Sequence, residues 1–300
     1  MISQKLKYTT RLAGTVFLLL LVVMLLVNLL RRNIYDPVLG INILVIAKDG
    51  MGIVAVAEGS GLVSVMRLPD NLLIPIDPTG AEYRVEAFYK IGLPIKNELF
   101  VSRVSVGQAL GVVLAGVVKT NSEFGLTGLL PSLMFLSSQT NFSILDRYNL
   151  LVSIKNLLTK RTNFEISFPA VVADAVEEAD GTEVLKLNSS VFVWSQNQWA
   201  ADEVLSETAE VTVVNGSGRE GKARSAARQM ETAGVRVISL MTARKNTKDC
   251  LIWGNEKLHP KTVSFLRLSF GCQEGAGDEL FDYIDHDVES DLVVVLGERN

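Results

Sequence analysis

The chain has 300 residues, 48% of them hydrophobic, and a formal net charge of −4. That mild acidity excludes the bulk basic field that draws a protein onto nucleic acid. Its two cysteines, Cys250 and Cys272, and two histidines, His259 and His286, lack the short spacings of a zinc site, so no metal centre follows from them.

Residues 12–30 form an apolar run with no charge inside it, bounded by Arg11 on one side and Arg31 and Arg32 on the other. At about 1.5 Å per residue, a helix over this run matches the ~30 Å hydrocarbon core of a bilayer. A signal peptide has a shorter apolar region, about 7–15 residues, and ends at small residues. This run ends in Leu29-Leu30-Arg31-Arg32, so it reads as a retained single-pass anchor. Lys5, Lys7 and Arg11 put residues 1–11 on the cytoplasmic side and the bulk of the chain on the extracytoplasmic side of the cell membrane. The Leu110–Val118 and Leu129–Leu136 stretches are too short, and too rich in Gly, Pro and Ser, to cross again.

Residues 41–208 read as an α/β domain with a buried sheet. Ile41–Ala47 is a near-continuous apolar strand, broken at Gly50-Met51-Gly52. Gly61–Leu68 is a second strand, and Leu72–Ile76 continues extended after a turn at Pro69-Asp70-Asn71. Apolar periodicity predicts helices over Val106–Val118 and Ile144–Lys160. Val184–Leu187 and Ser190–Trp194 read as strands, before a short helix at Gln198–Ser206. Asp174, Glu177, Glu178 and Asp180 read as a solvated acidic loop.

Residues 209–300 form a second, smaller unit. Val211–Val214 is a strand, Lys222–Ala233 a helix stopped by Gly234, and Val235–Leu240 a strand. Cys250–Trp253, the helix Lys257–Ser269 and the strand Asp291–Gly297 follow. The order strand–helix–strand–strand–helix–strand fits a split βαβ topology. In that topology Cys250 and Cys272 approach bonding distance. A disulfide there contributes about 3 kcal/mol through loop closure, and two independent buried thiols are the alternative.

Two features of the second unit admit a binding reading beside a structural one. Asn215, Gly216, Ser217, Gly218 and Arg219, between a strand and a helix, form either an anion-binding loop or a tight β–α turn. The basic stretch Arg219–Lys261 and the acidic stretch Asp278–Asp291 are either a solvated face paired with its own acidic loop or a patch for anionic glycan or lipid head groups. Neither histidine stands near a nucleophile motif, so the residues alone supply no catalytic triad.

The stretch from Val211 to Gly297, opening Val-Thr-Val-Val-Asn-Gly-Ser-Gly and closing Asp-Leu-Val-Val-Val-Leu-Gly, resembles the LytR C-terminal domain. Within 41–208, Asn42–Asp49, Leu62–Pro69, Leu73–Ile76, Tyr83–Tyr89, Gly92–Ile95 and Asp146–Leu158 resemble, in order, the landmarks of the LytR-CpsA-Psr catalytic domain. The resemblance implies a membrane-anchored cell-envelope protein of cell-wall biogenesis. Members of that family move glycopolymers from polyprenyl-pyrophosphate carriers to peptidoglycan, with arginines and aspartates on the pyrophosphate and a divalent cation. Pyrophosphate needs fixed positive charge, and Arg supplies bidentate contacts.

This sequence departs from the pattern at two points. Ala57-Glu58-Gly59-Ser60 stands where Arg-Ser-Asp is expected, and Pro69-Asp70-Asn71 where Pro-Arg-Asp is expected. Asp49 remains as the candidate metal ligand, and Arg67, Arg84 and Lys48 as the nearest cations. The expectation is a degenerate, non-catalytic binding or scaffolding relative with no cofactor. Its partners would be a polyprenyl-linked glycan, peptidoglycan or envelope proteins. The alternative is an active phosphotransferase in which Arg67 or Arg84 holds pyrophosphate and Asp49 holds Mg²⁺. A third is a structural anchor whose two units serve only protein contacts.

Overall fold

The computed structural model describes residues 16–17, 19–20, 22–23 and 35–298, apart from 58, 78, 135–137, 161–162 and 286–287. The anchor expected at 12–30 lies largely outside the described residues. Six of its positions, Val16, Phe17, Leu19, Leu20, Val22 and Val23, are helical and exposed. Among the described residues no helix is long and apolar enough to cross a membrane. His286 and Glu58 also lie outside the described residues.

The first half of the chain runs β1 (Ile41–Ala47), β2 (Gly50–Ala57), β3 (Leu62–Arg67), β4 (Leu72–Pro75), β5 (Glu82–Arg84), α1 (Val85–Lys90), α2 (Glu98–Leu110), β6 (Gly116–Lys119), α3 (Leu126–Met134), β7 (Gln139–Thr140) and α4 (Ile144–Thr159). There follow β8 (Asn163–Ile166), β9 (Ala173–Glu177), β10 (Glu183–Leu187), α5 (Ser190–Trp199) and α6 (Asp202–Leu205). The last part is β11 (Glu210–Asn215), α7 (Lys222–Thr232), β12 (Arg236–Thr242), β13 (Leu251–Gly254), α8 (Pro260–Phe270), β14 (Gln273–Glu274) and β15 (Leu292–Leu296).

A six-stranded mixed sheet, β7-β6-β1-β2-β3-β8, forms the centre of the first unit. The apolar β1 feeds both of its faces. Leu44 and Ile46 enter the core containing Phe88, Val106 and Leu110, while Ile43 and Val45 enter the one containing Leu129, Leu150 and Ile154. Burial on both faces explains a run with no polar alternation. A four-stranded sheet, β5-β4-β10-β9, lies beside it.

Four expectations are corrected here. Gly50-Met51-Gly52 does not end the strand pattern; Lys48 and Asp49 make the turn, and Gly50 and Gly52 start β2. Gly52 fits because a Cβ there would stand 2.1 Å from the Met66 carbonyl oxygen and 2.4 Å from the Phe124 ring. The helix expected at Val106–Val118 is instead α2, which Gly111 ends at φ +68°, and Gly116–Lys119 is a strand parallel to β1. Ser190–Trp194 is helical, because Val191, Ser195 and Trp199 fall on one buried helical face and the Ser195 hydroxyl donates to the Leu110 carbonyl at 2.7 Å.

The fourth correction is topological. The C-terminal sheet has the order β12-β11-β15-β13-β14, with β11 parallel to both β12 and β15. The strands flanking α7 are therefore adjacent, so this βαβ unit is not split. The long apolar β15 takes the other edge of β11. Val213 and Val294, which it brings side by side, are both buried. Parallel pairing of Leu251 with Gln273 places the preceding residues, Cys250 and Cys272, side by side, and they are joined by a disulfide with Cα atoms 4.3 Å apart. This unit's core also takes in Leu39 and Val113, so apolar packing runs on into the first unit.

Candidate functional site

Asp49 sits in the β1–β2 turn, and Arg67 ends β3 directly across from Gly52. The absent Cβ at Gly50 leaves room for the Arg67 guanidinium, which would stand 2.7 Å from one. Arg67 Nη2 donates to the Asp49 carbonyl oxygen, and Nη1 lies 3.7 Å from Asp49 Oδ2. Asp49 Oδ1 accepts from the Phe124 backbone N–H at 2.7 Å, and the guanidinium stands 5.9 Å from the Phe124 ring centroid. Lys48 pairs with Glu123 at 3.5 Å. Asp49 thus has a backbone donor at one oxygen and a cation near the other, the arrangement of an ion pair. Among the described residues no group of three or more His, Cys, Asp or Glu is gathered for a metal ion.

Asp70 occupies the position where an arginine was expected. Its backbone carbonyl accepts from Glu86 N–H at 3.0 Å. Burial, then the neighbouring Asp70 carboxylate, push the Tyr89 phenol above its ordinary range. Asp70 thus places a negative charge at this position, and the Arg67 charge also reaches Tyr89.

Arg84 lies elsewhere. It ends β5 and donates to Glu178, and this hydrogen bond raises its pKa above the usual arginine value. It lines a shallow cavity of about 290 Å³ with Glu178, Glu82 and Lys90, and neither Asp49 nor Arg67 takes part in that lining. The three candidates are therefore not brought into one basic cleft. Sequence reasoning missed Glu178, the partner that engages Arg84. It stands 94 residues away in a stretch read only as solvated, and no local signal marks it.

The Asn215–Arg219 loop is tied to itself. Asn215 Nδ2 donates to the Arg219 carbonyl at 2.8 Å, and Asn215 Oδ1 accepts from the Ser217 N–H and hydroxyl. The Arg219 N–H donates to Ser217 Oγ at 3.2 Å. The Arg219 side chain lies 3.7 Å from Asp77 and donates to the Glu298 carbonyl. These bonds describe a tight strand-to-helix turn. The basic stretch meets its own acidic segment: Lys245 bonds Asp282 at 2.5 Å, and Arg244 pairs with Asp285 at 3.0 Å.

No protein-family model matches the chain, and no curated protein matches it by sequence. Solved structures do show partial likeness. TagT of Bacillus subtilis has 13% identity and a TM-score of 0.38, with 52% of this chain and 88% of that chain covered. A structure of TagT bound to LIIa-WTA has 13% identity and a TM-score of 0.38, covering 54% of this chain and 89% of that one. TagV of Bacillus subtilis has 9% identity and a TM-score of 0.37, covering 51% of this chain and 92% of that one. The likeness thus extends over about half of this chain.

Proposed function

We propose that this is a membrane-anchored, extracytoplasmic cell-envelope protein that binds or scaffolds in cell-wall assembly and does not transfer a glycopolymer. The observation that carries the reading is the closure of Asp49 on Arg67, with Arg84 committed separately to Glu178. Neither arginine stands unpaired, and Asp70 adds a negative charge where the resembling family has a positive one. The run at 12–30 supports the anchor. The Cys250–Cys272 bond supports an oxidising compartment, where such bonds persist.

The test is a transfer reaction with full-length protein, a polyprenyl-pyrophosphate-linked oligosaccharide and peptidoglycan. The expected result is no glycan attached to peptidoglycan, with wild type and Arg67→Ala alike. Transfer by wild type that Arg67→Ala abolishes overturns the reading.

A further inference from the structure

A second cavity, of about 250 Å³, lies between the two units, and none of the candidate residues above is in its wall. Its wall comes from α2, the Val113–Leu114 segment, α7, the end of α8 and Leu296. Two cations face this space, Arg103 of α2 and Lys222 at the start of α7, and no Asp or Glu is among the described residues that line it. The amides of Gln108 and Gln229 and the hydroxyls of Ser225 and Ser269 add neutral hydrogen-bonding groups.

Arg103 donates through Nη1 to the carbonyl of Leu114 at 2.7 Å and, weakly, to that of Ala115 at 3.5 Å, and its guanidinium stands 5.4 Å from the Phe100 ring centroid. These contacts orient the fork without neutralising it. Lys222 makes no ion pair or hydrogen bond among the described residues. The charges that act on it are Arg219, which lowers its pKa, and Asp77, which raises it, and these two lie 3.7 Å from each other. Burial pushes both Arg103 and Lys222 below their ordinary pKa. Two partly desolvated cations line one cavity whose own wall holds no carboxylate among the described residues, a setting that favours an anion between them.

We propose that the cavity between α2 and α7 is an anion site for a single phosphate group, held by Arg103 and Lys222. The Arg fork and the Lys ammonium are complementary to phosphate oxygens. The volume is below the ~300–1,000 Å³ of sites for drug-sized ligands, which limits the occupant to a phosphate or a small phosphomonoester head. Because its two cations come from different units, the bound anion ties the units together. This site stands independently of the function proposed above, since neither residue belongs to the Asp49–Arg67 or Arg84–Glu178 pairs.

Isothermal titration calorimetry of the full-length protein in detergent, with inorganic phosphate at fixed ionic strength, tests it. Saturable binding at one site per chain is expected, weakened about tenfold or more by Lys222→Gln and largely retained by Lys222→Arg. Arg103→Gln also weakens it, but Arg103 holds backbone carbonyls, so Lys222 is the variant with an unaltered fold. No saturable binding by wild type, or equal binding by Lys222→Gln, overturns the site. A second arm adds phosphatidic acid to the micelles. Competition with inorganic phosphate that Lys222→Gln abolishes supports the site with a lipid headgroup as source, and undisturbed phosphate binding supports it with a free phosphate.

Discussion

Asp146 is fully buried in the first turn of α4, where it accepts from the backbone N–H of Ser143 and of Tyr35, each at 3.2 Å, and from the Ser143 hydroxyl at 2.8 Å. Ser143 Oγ in return accepts from the Asp146 N–H, completing a capping box. Asp146→Ala leaves these donors without their acceptor and is expected to cost about 2–3 kcal/mol in urea denaturation. Asp49→Ala should cost about 1 kcal/mol, less than Asp146→Ala, because its pair with Arg67 is substantially exposed and its backbone donor, the Phe124 N–H, is only partly buried. The two carboxylates look alike in sequence. What separates them is burial, which a 3.6-residue period signals for α4 and nothing local signals for a turn. Asp49 and Arg67 were grouped only through the family resemblance, and the β1–β2 hairpin and its pairing with β3, which bring them together, were not read from the sequence. The Arg84–Glu178 pair was not legible either, since tertiary structure alone joins β5 to the end of β9.

At the scale of elements, periodic and well-punctuated segments were legible and short apolar ones were not. Helix α4 matches its expected span within a residue, and Gly271, at φ +68°, follows α8 as a helix stop. Helix α5 was misread because Val191, Phe192, Val193 and Trp194 have strand propensity, which the buried face of Val191, Ser195 and Trp199 overrides. The shift of α2 has a similar origin. Val112 and Val113 lie beyond its glycine stop, and the strand that follows is fixed by parallel pairing with β1. Gly111 is consequential here, since a Cβ would meet the Phe192 ring at 2.7 Å in a backbone conformation that L residues avoid. Gly111→Ala is expected to destabilise by about 1–3 kcal/mol, read as a lowered urea midpoint with an unchanged slope.

For the whole molecule, the α/β class with a smaller second unit followed from the sequence, whereas the separate four-stranded sheet and the strand order did not. Adjacent β11 and β12 and the insertion of β15 depend on which sheet edge each strand takes, and local pattern carries no information on that. The Cys250–Cys272 bond closes α8 onto β13, and its loss is expected to cost about 3 kcal/mol. Denaturation of wild type with and without reductant, beside Cys272→Ser, measures this. Reduced wild type should fall to the variant's stability, and reductant should leave the variant unchanged.

The proposed non-catalytic role rests on a pair of arginines, Arg67 and Arg84, committed to carboxylates of their own chain. Mass spectrometry of lipid extracted from the detergent-purified full-length protein, wild type beside Asp49→Ala and Arg84→Ala, tests it most directly. The expected result is the same lipid profile in all three, with no polyprenyl phosphate or pyrophosphate that depends on either residue. Such a lipid, present in wild type and lost from either variant, makes these residues a working carrier site and contradicts the claim that both arginines are committed to carboxylates of their own chain.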